Sequence, residues 1–264
     1  MTGDGAGPLE AALRASRDRG RKLLLPYVTG GFDPGWTDVL RAVADAGADA
    51  VEVGIPFSDP AMDGPTIEEA SVRALARGTT PAGILGELAA VDAGVPLVAM
   101  TYYNLVFRAG ELRFARSLAE AGVAGAIVPD LPLEESAGWE REAAAAGVDA
   151  VLLAAPVTPD DRLRQLAERS RGFVYAVSLM GITGARERLA STAAELARRL
   201  KAVTDRPVII GFGISTPEQA VEACSVADGV VVASALIRRL LDGGGPDEAA
   251  AFVRSFREAL DQGQ

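Results

Sequence analysis

Asp45-Ala-Gly-Ala-Asp-Ala-Val-Glu-Val53 is the first of three versions of one local pattern. It returns as Glu120-Ala-Gly-Val-Ala-Gly-Ala-Ile-Val128 and as Ala145-Ala-Gly-Val-Asp-Ala-Val-Leu-Leu153. In each, an alanine-rich stretch at helical spacing stops at a glycine, and a short β-branched run begins two or three residues later. Gly47, Gly122 and Gly147 are placed to end a helix in the left-handed conformation before the next strand.

Outward from these turns, eight apolar runs alternate with Ala/Leu/Arg/Glu segments: Lys22–Val28, Asp49–Gly54, Pro96–Tyr102, Gly125–Pro129, Asp149–Ala154, Gly172–Ser178, Pro207–Phe212 and Gly229–Val232. Continuous apolar strands between amphipathic helices are the mark of β/α units around a parallel sheet. Eight of them point to a closed (β/α)8 TIM barrel, with a doubly wound open sheet as the alternative. A helix over Leu9–Arg19 precedes the first strand and is placed to plug the barrel bottom. Two helical patterns, Thr66–Ala76 and Pro81–Ala93, share the segment between strands two and three, so one extra helix is inserted there. Nothing reads as a linker. The expectation is one domain over residues 1–264, with 1–8 flexible.

With 49% hydrophobic but only 5% aromatic residues, the core must be built from Ala, Val, Leu and Ile. A net charge of −10 without a basic run argues against nucleic acid and anionic membranes as partners. The single cysteine, Cys224, excludes an internal disulfide and fits a reducing cytoplasm. The Gly-rich start lacks the basic-then-apolar order of a signal peptide, and no apolar run has the length of a membrane helix. The chain has no histidine and only two lysines, Lys22 and Lys201. Its chemistry must proceed without imidazole and almost without a primary amine.

Barrels of this kind gather their active site at the C-terminal strand ends. In strand two, alternation turns Val51 and Val53 toward the helices and Glu52 into the barrel beside Ala50 and Gly54. A carboxyl group there costs several kcal/mol unless paired or neutralised. It is either a structural carboxylate satisfied by amides or a catalytic one. The loop Ile55-Pro-Phe-Ser-Asp-Pro-Ala-Met-Asp-Gly-Pro65 follows it. Asp59 and Asp63 precede proline or glycine there, as turn residues do. Two aspartates above an inward glutamate also make a shielded general acid/base pair.

Three glycine-bearing strand ends suit a phosphate: Gly181-Ile-Thr-Gly-Ala185, Gly211-Phe-Gly-Ile-Ser215, and Val232-Ala-Ser-Ala235 before a short helix over Leu236–Leu241. Backbone N–H groups and a helix dipole can hold a phosphate without Lys or Arg. The Gly-rich stretch from Leu179 to about Ala190, with Arg186 and Arg188, suits a lid.

Val51-Glu-Val-Gly-Ile-Pro-Phe-Ser-Asp-Pro-Ala-Met-Asp-Gly-Pro-Thr-Ile67 closely resembles the signature of tryptophan synthase α subunits. So do Leu25-Pro-Tyr-Val-Thr-Gly-Gly-Phe-Asp-Pro34, Tyr103-Asn-Leu-Val-Phe107, Pro129-Asp-Leu-Pro-Leu-Glu-Glu135 and Gly211–Ser215, over a span from about Leu9 to the end. The resemblance implies retro-aldol cleavage of indole-3-glycerol phosphate to indole and glyceraldehyde 3-phosphate. It implies Glu52 and Asp63 as the catalytic carboxylates and Tyr27, Met100 and Ile127 as the lining of an indole pocket. Tyr175 would lie beside the reacting carbons, and Thr183 would bond the aspartate on loop closure. Gly184, Gly213, Ser234 and the amide of Ala233 would bind phosphate. It further implies a pyridoxal-phosphate β subunit as partner in an α2β2 assembly, docked on a face with Pro56, Asp59, Asn104, Phe107 and Pro132. No cofactor or metal is expected in this chain.

Two positions depart from the family. Ala233-Ser234 stands where Gly-Ser is usual, bringing a methyl to the phosphate site and restricting φ/ψ. Tyr103 replaces a smaller residue of some relatives, to narrow the pocket or touch a partner.

The residue inventory fits that reaction. Lys22 opens strand one at the wrong end for a Schiff base, Lys201 lies in a helical stretch, and histidine ligands for a metal are lacking. The substrate can supply its own electron sink: protonation at indole C3, then deprotonation of the adjacent hydroxyl, expels indole. Three alternatives remain open on sequence alone: a free-standing indole-3-glycerol phosphate lyase, a weakly active barrel that mainly activates a β subunit, and a sugar-phosphate isomerase sharing only the phosphate cradle.

Overall fold

The computed structural model describes residues 5–177, 186–211 and 213–263. Its strands are β1 (Leu23–Thr29), β2 (Val51–Gly54), β3 (Leu97–Met100), β4 (Val123–Ile127), β5 (Asp149–Ala154), β6 (Val174–Ala176), β7 (Val208–Ile210) and β8 (Gly229–Val232). They pair in parallel in the order β1-β2-β3-β4-β5-β6-β7-β8, and β8 closes on β1. The closed barrel is the one expected, and the open sheet is excluded.

Helices α1 (Pro8–Arg17), α2 (Trp36–Asp45), α3 (Pro65–Ala76), α4 (Pro81–Leu88), α5 (Tyr103–Ala109), α6 (Glu111–Glu120) and α7 (Ala137–Ala146) accompany the first half. Helices α8 (Asp160–Arg169), α9 (Arg186–Lys201), α10 (Pro217–Cys224), α11 (Ser234–Leu241) and α12 (Pro246–Gln262) accompany the second. Helix α4 stops at Leu88, before the expected Ala93: the Ala90 and Val91 amides tighten to bonds on the Glu87 and Leu88 carbonyls, and Asp92 accepts the Gly94 amide in the turn that follows. Residues 186–190, expected as part of a loop, are the first turns of α9. The rest of that expected lid, and Met1–Asp4 of the expected flexible start, lie outside the described residues. Among the described residues no helix is long and apolar enough to cross a membrane.

The turns with which the chain was first read behave as their glycines require. Gly47, Gly122 and Gly147 have φ of 108°, 74° and 78°, a region that a side chain makes costly. The aspartates that follow anchor the barrel's lower end. Asp49 accepts the Leu24 amide, the Ser16 hydroxyl and the Arg21 guanidinium. Asp228, just before β8, accepts the Val208 amide and holds Lys201 at 2.9 Å.

Helix α1 closes that end, as expected. Its N-cap position is Gly7, which offers no side chain, and Asp149 of β5 accepts the Glu10 amide at 2.9 Å instead. Leu9 enters the barrel where Gly125 and Gly172 leave room. A Cβ at either glycine would lie 2.4 Å and 2.7 Å from the Leu9 Cδ2. Leu9 is fully buried. Truncation Leu9→Ala should therefore destabilise the fold by about 2–5 kcal/mol in urea unfolding. A change below about 0.5 kcal/mol, the size of a surface substitution, would show that α1 is not a plug.

Candidate active site

Parallel pairing carries inward residues into register across neighbouring strands. Tyr27 pairs with Glu52, and Glu52 with Val98. One level nearer the top, Gly54 pairs with Met100 and Met100 with Ile127. Tyr175 pairs with Leu153 and with Ile209. The fold thus brings Glu52, Tyr27, Met100, Ile127 and Tyr175 to the inner wall; strand alternation placed Glu52 there, and the family resemblance implied the other four. Two missing side chains make room for the rings. A Cβ on Gly54 would fall 1.8 Å from the Tyr27 hydroxyl, and one on Gly211 would fall 1.7 Å from the Tyr175 ring.

Glu52 is 1% exposed, and among the described residues its Oε2 has no hydrogen-bond partner. Burial, and then the nearby charge of Asp63, push its pKa up from the ordinary 4.5 to about 8. The structural alternative, a carboxylate satisfied by neighbouring amides, does not describe this group. Tyr27 and Tyr175 are raised too, first by burial and then by the carboxylates beside them: Asp63 before Glu52 for Tyr27, and Glu52 for Tyr175. Both phenols therefore stay protonated donors.

Asp63 is half-buried, one residue before the N-cap Gly64 of α3, where the helix dipole favours an anion. Burial raises its pKa, a hydrogen bond from the Tyr102 hydroxyl opposes that rise, and Glu68 adds to it. Tyr102 is the residue that the sequence reading missed. Its hydroxyl accepts the Met62 amide at 3.1 Å, and its ring stacks on Phe57 at 5.3 Å between centroids. It thereby fastens both ends of the loop after β2 to the start of α5. Alternation could have found it, since Tyr102 continues the inward parity of Val98 and Met100.

Tyr103 turns the other way. Its hydroxyl donates to Glu111 Oε1 at 3.0 Å on α6, so it neither narrows the pocket nor stands free for a partner.

At the opposite wall, α11 starts at Ser234, and its ladder opens with the Leu236 and Ile237 amides on the Ala233 carbonyl. The Ser234 and Ala235 amides head the helix, pointing out of its N-terminus. Ala233 has φ −113° and ψ −84°, a negative φ, so the position does not demand the left-handed region that favours glycine. Gly213, with φ 79°, is exposed, and open space surrounds its Cα. Arg238 and Arg239 of α11 engage Glu69 and Glu248 and belong to the helix's far end. Thr183 and Gly184 lie outside the described residues.

On the outer rim, Asp59, Asn104, Phe107 and Pro132 are exposed, and Phe107 is 69% so. Pro56 is buried, contrary to a docking role. It follows Ile55, whose amide is still pinned to the Met100 carbonyl at 2.8 Å, so the chain has not yet left the barrel.

The unpaired acid makes stability depend on pH. The folded protein keeps a proton on Glu52 that the unfolded chain loses near pH 4.5, so the contribution of this group is complete below that pH. It declines as pH rises through about 8. Glu52→Gln should remove the decline. The stability advantage of the variant over the parent, read by urea unfolding, should widen between pH 5 and pH 8, by up to about 1.4 kcal/mol per pH unit. A difference that stays constant over this range would contradict a buried, donor-poor Glu52.

Residues 13–261 match the family described as tryptophan synthase alpha chain. The chain is 44% identical to the tryptophan synthase alpha chain of Gloeobacter violaceus, over 94% of this chain and 92% of that one. It is 43% identical to that of Thermobifida fusca, over 97% of each. Among solved structures, Mycobacterium tuberculosis tryptophan synthase superposes with a TM-score of 0.89 at 39% identity, covering 97% of this chain and 99% of that one. The Legionella pneumophila tryptophan synthase subunit alpha gives 0.86 at 32%, covering 98% and 100%.

Proposed function

This chain belongs to the tryptophan synthase alpha chain family and cleaves indole-3-glycerol phosphate to indole and glyceraldehyde 3-phosphate, and from that premise we propose that Glu52 and Asp63 carry the reaction. The observation that carries this reading is the protonated Glu52 inside the barrel, whose Oε2 has no partner among the described residues, next to an Asp63 that lies by the Tyr102 phenol and a helix N-terminus. Different environments separate the two carboxyl groups into an acid and an anion.

In the mechanism, Glu52 first gives its proton to indole C3, and Asp63 stabilises the positive charge that spreads to the ring N–H. The resulting Glu52 carboxylate takes the proton of the adjacent glycerol hydroxyl. The electron pair of that O–H bond becomes the aldehyde C=O, and the carbon–carbon pair returns to the indole ring. Glu52 ends protonated, so one group closes the cycle. The tyrosines at 27 and 175 fill the wall around it with groups that do not ionise. Met100 and Ile127 supply apolar surface for the ring.

A lysine route finds no support in the geometry. Lys22 donates to the Ala227 carbonyl and Lys201 pairs with Asp228, both at the barrel's lower end. The mechanism asks for no metal and no cofactor in this chain. Phosphate falls to the amides of Ala233 and Ser234, to Gly213, and to Thr183 and Gly184. The partner is a β subunit in an α2β2 assembly, carrying the pyridoxal phosphate. Its docking face takes in Asp59, Asn104, Phe107 and Pro132. The chain works as one domain in the cytoplasm.

Purified protein should release indole from indole-3-glycerol phosphate slowly, and much faster once a tryptophan synthase β subunit is added. Glu52→Gln and Asp63→Asn should each lower kcat by at least about 10²-fold. The parent's kcat/KM should fall as pH rises past about 8, where Glu52 loses the proton it must give. Near-full turnover in Glu52→Gln sinks the assignment. Fast turnover indifferent to the β subunit would instead make the chain a free-standing lyase.

A further inference from the structure

Helix α5 has an unusual start. Its N-cap residue is Tyr102, whose side chain makes no capping bond; its hydroxyl instead accepts the Met62 amide, beside Asp63. The first helical amide, that of Tyr103, is instead taken by a carboxylate from another part of the barrel: Asp130 Oδ1 accepts it at 2.8 Å. Asp130 lies in the loop after β4, two residues before the exposed Pro132. Three residues apart on α5, Asn104 and Phe107 are exposed. The bond thus joins two surface segments at the point where α5 sets the backbone of Tyr102.

We infer that Asp130 is a positioning residue for the lyase reaction, holding the first turn of α5 so that the Tyr102 hydroxyl stays on the loop that carries Asp63. The inference rests on the catalytic role of Asp63 proposed above. A seven-residue helix has little stability of its own, and its first turn depends on what satisfies its free N–H groups. With the Asp130 carboxylate gone, that turn frays and the phenol is no longer held at Asp63. The Phe57 ring stacked on Tyr102 loosens with it. The aspartate then loses the Tyr102 hydroxyl, the one side chain among the described residues that lowers its pKa, while keeping its burial and the repulsion from Glu68. The other titratable groups that act on Asp63 and Tyr102 are Tyr27, Glu52 and Asp130 itself. Removing a donor from a carboxylate makes it protonate more easily. The activity, which needs ionised Asp63, is therefore lost at higher pH than in the parent.

The test is a pH series of kcat and kcat/KM for indole release in Asp130→Ala, Asp130→Asn, Tyr102→Phe and the Asp130→Ala/Tyr102→Phe pair. Asp130→Ala should lower kcat about five- to tenfold, the size of a lost cap, with little change in KM. Its acid limb should move to higher pH, as should that of Tyr102→Phe. The double variant should lose little beyond Tyr102→Phe alone, because both act through one hydroxyl. Asp130→Asn keeps an acceptor for the Tyr103 amide and should recover both the rate and the parent's acid limb. Multiplying losses in the double variant, an unmoved acid limb in Asp130→Ala, or an Asp130→Asn no better than Asp130→Ala would each overturn the inference. If Asp130→Ala fails to fold, Asp130→Ser takes its place, being polar but too short to span the two segments. Asp63→Asn, measured alongside, separates the two readings. Retained turnover there removes the role of Asp63 itself, whereas loss there with an unmoved limb in Asp130→Ala removes that of Asp130 alone.

Discussion

A carboxyl group inside a barrel of Val, Leu, Ile and Ala is the constraint from which the rest of the site follows. Water solvates an ionised glutamate far better than an apolar interior does, and among the described residues Glu52 Oε2 has no hydrogen-bond partner to replace that solvation. It answers by keeping its proton, with a pKa pushed up to about 8. In a histidine-free chain, this is the available way to have an acid that gives and retakes a proton near neutral pH. The same apolar surroundings that penalise the charge also exclude the water that would compete for the proton.

Such a group needs a rigid frame, and the barrel divides that labour between its ends. Below, carboxylates are saturated: Asp49, Asp149 and Asp228 take backbone amides, and Arg257 joins Asp49 and the Lys22 carbonyl. These bonds tie α1, α12 and the helix-to-strand turns to the strand beginnings. Above, the acceptors and donors are left incomplete among the described residues: Glu52 Oε2, and the Ser234 and Ala235 amides that lead α11. A carboxylate that is satisfied stabilises the fold, and one that is not is free to do chemistry. The chain carries both kinds, sorted by height along the same barrel.

This sorting explains how much was legible in the residues. Continuous apolar runs stopped by glycine gave away all eight strands, because a parallel strand covered on both faces has no other composition open to it. Glu52 could be found from strand parity alone. Tyr102 was passed over in favour of Tyr103, since the segment 103–107 looks like a surface motif and its neighbour looks like part of it. Only the packing shows the two tyrosines parting, one to Met62 and Asp63, the other to Glu111. Pro56 was misplaced for a related reason. Proline and glycine mark where a strand can end, but the backbone stays bonded to its neighbour through Ile55 before it turns outward. Cross-barrel bonds such as Asp130 to Tyr103 have no periodicity to betray them, because they join residues 27 apart through loops.

Ala233 brings the argument to the substrate's other end. A phosphate could be held by lysines, but this chain has a net charge of −10 and has spent both its lysines elsewhere. Backbone amides at a helix start offer an alternative whose strength comes from fixed geometry, since they cannot move away when the phosphate leaves. Fixed donors demand the right backbone angles, and the family's usual glycine at this position suggests latitude in φ that alanine lacks. With φ of −113° at Ala233, that latitude is not being used. The departure therefore costs the cradle no donor and no strain in the sign of φ. What it adds is one methyl group at the proposed phosphate site, on a residue that is half-buried. Under the proposed phosphate role, affinity there rests on the direction of the N–H groups and not on the number of charges.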